Sequence, residues 1–547
     1  METSKLENIY CNGTVLTMDD AQPTAEALVE SQGSILAVGS AEALLAAFPN
    51  AHRIDLSGGT LMPAFLDPHS HFSSVASGLL QVSLAGCRSF ADITDTLRSF
   101  IRDSAIQPGS WIMARDYDQE KLAEHCHLTS KVLDSAAPQN PVLLQHKCGH
   151  TGVLNTAAET ALGITADIAD PAGGRYGRDA SGELTGYLEE NAYFTNIRKV
   201  PAPDGAALLD AYRRAQQKYA SYGITTVQEG MMVTQIAPLH KLLLSSGLLR
   251  LDLVSYPEFS AAAALCKEFE AYTHDYQSHY RIGGIKIFLD GSPQERTAWM
   301  RPQSAYLPDE TAGAAAARTP QPETSRGTME YSAVMDALQW AAQHRMQILA
   351  HCNGDAAAAQ YLHAIAETET GFPDFAALRP VMIHAQFLAP DQLPEVHALG
   401  VLPSFFVAHV YHWGDTHIRN FGLQRASLIS PAADALRAGI RFTFHQDSPV
   451  IEPDMLETVW CAVNRLTQSG TVLGANEAIP VREALKAVTI NAAFQYGEEN
   501  KKGSLLPGKR ADFVWLDRNP MTIDPHDLRS IRILRTIKDG QVIFSND

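Results

Sequence analysis

Between residues 60 and 444, short apolar runs alternate with longer helical stretches, and this alternation constrains the fold more than any other feature of the chain. The runs occupy 60–66, 224–228, 249–256, 284–289, 347–350, 381–383, 401–406 and 440–444. Eight such strands separated by helices predict an α/β fold, a TIM-like (β/α)8 barrel. In a barrel of this kind functional residues sit just past the C-terminal ends of the strands. His69 and His71 follow the first run, Glu229 the second, His351 the fifth, His384 the sixth and Asp447 the eighth, while Lys286 lies inside the fourth. A random protein does not keep its His, Asp and Lys residues in step with its strands in this way.

The first of these strand ends is the most specific. Thr60-Leu61-Met62-Pro63-Ala64-Phe65-Leu66-Asp67-Pro68-His69-Ser70-His71 reads as an apolar strand that stops at a proline and presents two histidines one residue apart. Alternate residues of an extended segment point the same way, so the pair can share one metal ion. Spacing alone is weak: with 20 histidines in the chain, one His-x-His is expected by chance about once. A second copy, His125-Cys126-His127, follows Lys121-Leu122-Ala123-Glu124 with no apolar strand before it and reads as incidental.

The two ends share a texture of short β-rich runs broken by turn residues, over 8–57 and again over 511–544. Strands this short need partners, so the expected arrangement is a small β-sandwich formed by 1–59 plus 500–547, with the barrel over 60–499. The stretch between the first and second strands is far longer than one crossover helix requires, which predicts an inserted α/β subdomain over about 75–220. Residues 310–327, rich in Ala, Pro, Thr and Ser, read as a loop beyond the fourth strand. A net charge of −18, spread along the chain, argues against nucleic acid or an anionic membrane as partner. Seven scattered cysteines without a Cys-x-x-Cys pair, a polar N-terminus and no apolar stretch of about 20 residues lead to the expectation of a cytoplasmic protein. A homodimer is the expected assembly on general grounds.

Taken together, His69, His71, Lys286, His351, His384 and Asp447 resemble the site of the amidohydrolase superfamily of metal-dependent hydrolases. The segment Gly503-Ser504-Leu505-Leu506-Pro507-Gly508-Lys509-Arg510-Ala511-Asp512-Phe513 is similar to the one by which that superfamily leaves its barrel. Gly149-His150 with Asn155, the run 182–192, the run 285–292 and His351 followed by Gly354-Asp355-Ala356 look most like the branch of N-substituted formamide deformylases. The resemblance implies a hydrolase of a carbon–nitrogen bond, acting on a small-molecule amide such as an N-acyl or N-formyl amine. It also implies one or two zinc ions, with Lys286 as a candidate for carboxylation and bridging. In the bridged form His69, His71 and Asp447 hold one ion, and His351 and His384 the other. Cys148 and Glu190 are weaker candidates as ligands.

The residue types fit that chemistry on physical grounds. Zinc takes imidazole and carboxylate ligands and lowers the pKa of a water to about 7. Asp447 is suited to accept that water's proton and pass it to the departing nitrogen, and His384, if not a ligand, to hold the carbonyl oxygen. A lysine inside an apolar strand has its pKa lowered by lost hydration, and a neutral amine can take up carbon dioxide. His150, Glu190 and Tyr117 are candidates for substrate contact, with Asp116 beside Tyr117. Phe72, Trp299, Phe405, Phe406 and Trp413 hint at an apolar substrate, although packing is the commoner fate of such residues. His445 is expected to point away from Asp447. Three alternatives remain open. One is a ring deaminase, disfavoured because His351-Cys352-Asn353-Gly354-Asp355 lacks the Glu that such enzymes carry. Another is an ester, lactone or carbamate hydrolase on the same site. The last is a non-catalytic scaffold.

Overall fold

The computed structural model describes residues 7–147, 151–171, 173–201, 204–307 and 327–546. Its chain divides into two compact units, Met1–Ser74 with Ala215–Asp547, and Val75–Arg214.

The larger unit is built on parallel strands in sequence order, which we number β1 (Phe65–Leu66), β2 (Ile224–Met232), β3 (Asp252–Pro257), β4 (Gly284–Phe288), β5 (Gln347–Cys352), β6 (Val381–His384), β7 (Leu402–Phe405) and β8 (Thr443–Phe444). β1 pairs in parallel with β2, β2 with β3, and β3 with a short strand, Tyr280–Ile282, that precedes β4. β4 to β8 form a second parallel run. A parallel bridge between Glu258 and Lys286 links the end of β3 to β4. β2 and β3 are buried almost throughout, as parallel strands covered on both faces must be, which is why they read as continuous apolar runs. At the start of β4 the chain needs a glycine: a Cβ on Gly284 would lie 2.1 Å from the carbonyl oxygen of Gln347. Leu66, Val254, Tyr256, Leu349, Val381, Ile383 and Leu402 join Ala492, Ala493 and Tyr496 in one buried cluster that binds the strands together.

The run expected as a single strand over 60–66 is two strands. Thr60–Pro63 pairs with Thr14–Leu16 and with Phe513–Leu516, so it belongs to a six-stranded sheet that contains both ends of the chain. Only Phe65–Leu66 joins the parallel set. Pro63 accounts for the break, since it cannot donate to a ladder and ends the pairing there. A four-stranded sheet of Ser34–Gly39, Ala27–Ser31, Glu7–Cys11 and His52–Asp55 completes the terminal part.

The Val75–Arg214 unit carries its own six-stranded sheet and helices. Its helix Phe90–Asp103 starts where the Ser89 hydroxyl accepts the Asp92 amide, a helix cap of the usual kind. Ile93 and Leu97, four residues apart, bury one face of that helix. Among the described residues no helix is long and apolar enough to cross a membrane.

Candidate metal centre

Immediately beyond β1 the chain turns, and His69, His71 and Asp447 offer ligand atoms that all lie within 4.8 Å of one another. His71 Nε2 is 3.2 Å and His69 Nε2 3.5 Å from Asp447 Oδ1. That oxygen is buried and no well-formed hydrogen bond satisfies it. A buried carboxylate oxygen left open in this way fits a cation, because an unpaired one is costly.

His69 is oriented from behind. Its Nδ1 lies 2.6 Å from Gln228 Oε1, and Gln228 Nε2 donates to the Pro68 carbonyl and to the Tyr496 hydroxyl. An amide oxygen only accepts, so Nδ1 carries the ring proton and Nε2 keeps its lone pair for the centre. Gly230 makes room for the ring: a Cβ there would sit 2.5 Å from His69 Cε1.

Across the site His351 Nδ1 and His384 Nε2 face each other at 3.1 Å. His351 Nε2 lies 3.2 Å from the Gly291 carbonyl and 3.1 Å from Asn353 Nδ2, and a proton on Nε2, donated to that carbonyl, turns the Nδ1 lone pair to the centre. The His69 and His384 rings approach to 5.7 Å between centroids. Lys286, fully buried on β4, places Nζ 3.3 Å from His69 Nε2 and 5.1 Å from the Phe288 ring centroid. The six residues expected as ligands are thus gathered in one place. His384 and Asp447 hold left-handed backbone, with φ of 73° and 55°, a conformation that costs energy in residues other than glycine and clusters at functional sites.

Electrostatics match the geometry. Burial, reinforced by Lys286, lowers the His351 pKa to about 4 and holds His69 well below the usual imidazole range. Burial does the same to His384, with His351 next in effect. Burial lowers Lys286 to about 7, against the opposing pull of the Asp447 charge. For Asp447 burial acts upward, but the close approach and charge of His71, with His445 and Lys286 behind it, outweigh burial and the carboxyl titrates below its ordinary value. Burial alone would lower His71, and the Asp447 carboxylate reverses this. The centre therefore offers neutral imidazoles at His69, His351 and His384, an ionised carboxylate paired with His71 and a lysine that deprotonates near neutrality, a donor set suited to a divalent metal ion.

Gln228 and Ser404 escaped the sequence reading, and His445 stands on the side where it was not expected. Gln228, rather than the neighbouring Glu229, supports His69; Glu229 instead accepts the Ser73 amide at 2.8 Å. His445, expected to point away, packs on His69 and His384 with ring centroids at 5.2 and 5.1 Å. The expectation misapplied strand alternation: His445 and Asp447 are two residues apart, and residues at that spacing share a face, as His69 and His71 do. Ser404 Oγ lies 2.9 Å from His445 Nδ1. Asp290 accepts the amides of Trp299, Asn353 and Gly354 and so holds the loops after β4 and β5. Phe406 stands 6.3 Å from the His384 ring, whereas Phe72 and Phe405 are buried in packing.

Tyr117 and Glu190 belong to the Val75–Arg214 unit. Tyr117 is buried there with its hydroxyl 3.0 Å from His127 Nδ1, and Glu190 begins the helix Asn191–Ile197. His150 and Cys148, and residues 310–326 of the expected loop, lie outside the described residues.

An amidohydrolase family model matches residues 53–544. The chain belongs to the amidohydrolase family. It is therefore a hydrolase of carbon–nitrogen bonds with a metal-dependent site. Among characterised relatives, this amidohydrolase is 27% identical to the N-substituted formamide deformylase of Arthrobacter pascens, over 98% of each chain. It is 25% identical to the protein LONG AFTER FAR-RED 3 of Arabidopsis thaliana, over 98% of this chain and 91% of that one. Among solved structures, a metal-dependent hydrolase of Pyrococcus furiosus superimposes with a TM-score of 0.73, at 22% identity, over 94% of this chain and all of that one. At that identity the likeness speaks for the fold.

Proposed function

We propose that this amidohydrolase cleaves the carbon–nitrogen bond of a linear amide, an N-acyl or N-formyl amine, at a two-zinc centre. His69, His71 and Asp447 would hold one ion and His351 and His384 the other, with a carboxylated Lys286 between them. The observation that carries this reading is the convergence of ligand atoms around one buried lysine: the Asp447 oxygen without a hydrogen bond, and the His351 and His384 nitrogens that face each other at 3.1 Å. The eight parallel strands are read as a closed (β/α)8 barrel, the terminal sheets as a β-sandwich, and the Val75–Arg214 unit as an insertion.

A bound divalent metal supplies Lewis acidity, which makes a water acidic enough to serve as nucleophile near neutral pH. The remaining work falls to side chains. Asp447, ionised in its site, takes the proton of the attacking water and delivers it to the departing nitrogen, because an amine leaves poorly as an anion. Gln228 fixes the face that His69 turns to the centre, and Gly291 does so for His351. We assign His384 as a ligand rather than as a donor to the carbonyl oxygen, since its Nε2 is aimed at the same point as His351 Nδ1. Phe288, over His351 at 5.3 Å, and Phe406 keep that side of the site apolar.

Similarity to a formamide deformylase supports the N-formyl class. Ring deamination is less favoured: after His351, Asn353 donates to the Gly291 carbonyl and Asp355 is engaged by the Arg301 amide and Ser304, so neither is free to shuttle protons. The test is product analysis on a panel of N-formyl amines, N-acyl amines and ring amines. Release of the free amine with formate or carboxylate is expected. Ammonia from a ring substrate would move the chain to the deaminases.

A further inference from the structure

Behind His384 runs a chain of hydrogen bonds that neither the ligand set nor the proposed reaction uses. His384 Nδ1 lies 3.1 Å from His445 Nε2, and His445 Nδ1 lies 2.9 Å from Ser404 Oγ. All three residues are buried, with exposures of 4%, 0% and 0%. With His351 at its other end, the chain reads Ser404, His445, His384, His351. Register delivers it: Ser404 on β7 pairs with Thr443 on β8, two residues before His445.

A neutral imidazole has one N–H and one lone pair, so such a chain can run only in one of two directions. His351 Nε2 faces the Gly291 carbonyl at 3.2 Å and Asn353 Nδ2 at 3.1 Å; Asn353 already donates to that carbonyl, and in the tautomer that places the His351 proton on Nε2 its Nδ1 accepts. Without an ion, the chain closes if His384 Nε2–H donates to His351 Nδ1, His445 Nε2–H donates to His384 Nδ1, and the Ser404 hydroxyl donates to His445 Nδ1. When both facing nitrogens give their lone pairs to one ion, His384 must move its proton to Nδ1. His445 then accepts at Nε2 and carries its own proton on Nδ1, where Ser404 Oγ accepts it. Each ring keeps one proton throughout, so the protons balance without any gain or loss.

We propose that Ser404 and His445 are positioning residues for His384, forming a reversible hydrogen-bond chain that turns its Nε2 lone pair to the second metal ion. A hydroxyl and an imidazole are the groups that both donate and accept, which is what a chain of two directions demands. Gln228 behind His69 is different in kind: its oxygen accepts whether or not an ion is present. The first half of the centre is thus set in advance and the second half switches as it fills. The inference rests on the two-ion reading above.

The test uses the full-length chain labelled with 15N-histidine, stripped of metal and then loaded with zinc alone, with resonances assigned by omission in single variants. The expected result is a His384 ring protonated at Nε2 without metal and at Nδ1 with zinc. His445→Phe, which offers no acceptor, should weaken the second zinc about 10- to 100-fold, the range typical of lost outer partners. His445→Gln presents an acceptor at the same reach and should recover most of that loss. Ser404→Ala should weaken the second ion in the same direction by a smaller factor. The chain is overturned if His445→Phe binds both ions as tightly as wild type, if His445→Gln loses as much as His445→Phe, or if His384 keeps its proton on Nε2 with zinc present. A single ion per wild-type chain with His384 protonated at Nδ1 would remove the two-ion reading and leave the positioning role standing.

Discussion

Two buried polar clusters in the larger unit sit side by side in type but not in completeness. Around Asp252 on β3, Lys502 Nζ and Lys538 Nζ donate to Oδ2 at 2.5 and 2.9 Å, and His279 Nδ1 lies 2.8 Å from Oδ1. Lys502 also meets Glu498 at 2.6 Å and the Thr226 hydroxyl at 3.0 Å. Both Asp252 oxygens are partnered, opposite charges balance, and the cluster ties the strand Ile533–Lys538 of the terminal sheet to the parallel core. Around Lys286 the pattern is reversed. The Asp447 oxygen has no hydrogen bond, two imidazoles face each other, and the lysine meets a histidine nitrogen rather than an acid. Where each buried carboxylate lies against an ammonium, as Asp252, Glu498 and Asp512 do against Lys502 and Lys538, the cluster serves structure; where histidines rather than an ammonium face the carboxylate, the donor set suits a cation.

The sharpest way to break this contrast is at the two aspartates. Asp447→Asn should reduce turnover roughly a hundred- to ten-thousand-fold, the range of lost acid–base catalysis. Metal content measured on the same preparation with zinc in excess should stay close to wild type, because the Asn oxygen can still serve as a ligand, and thermal stability should not fall. Wild-type turnover in that variant would end the role given to Asp447. Asp252→Asn should do the opposite. It leaves two buried ammonium groups short of charge, a loss of about 3–5 kcal/mol in urea unfolding, while any folded protein keeps its metal. A loss below about 1 kcal/mol would mean that the network is not the structural cluster described.

Acid sharpens the second case. Burial pushes the Asp252 carboxyl up, but Lys502 and Lys538 outweigh it and hold it well below its ordinary range. A carboxyl depressed in the folded state contributes its full stability above the unfolded value of about 3.9 and loses it as pH falls further. The stability gap between wild type and Asp252→Asn should therefore be constant near neutrality and narrow below about pH 4. A gap that widened in acid would contradict the assignment. The smallest effect is expected at Gly230. Alanine there would press on His69, costing about 1–3 kcal/mol by overpacking and weakening the first metal ion by about tenfold. Unchanged metal affinity would show that the ring has room to move.

Much of this was legible in the sequence wherever a signal was local. The parallel strands announced themselves because burial on both faces leaves uninterrupted apolar runs, and His69, His71, Lys286, His351, His384 and Asp447 follow from their strands. What failed depended on partners distant in sequence. The division of 60–66 needed knowledge that Phe513–Leu516 pairs with Thr60–Pro63, 450 residues away. His445 is the exception, since its spacing of two from Asp447 already puts both on one face of an extended segment and the opposite-side expectation had the period wrong. Gln228 and Ser404 have ordinary neighbours in sequence, and only the parallel register sets them behind His69 and His445. Seeing that Gln228, not Glu229, reaches the His69 ring would have required that register in advance.

The central claim concerns the open cluster, and the measurement closest to it is metal per chain by elemental analysis, taken with the intact mass of the same sample under non-denaturing conditions. Two zinc ions per chain, and the added mass of one carbon dioxide lost on Lys286→Ala, are predicted. One zinc per chain with no added mass on Lys286 would contradict the bridged centre.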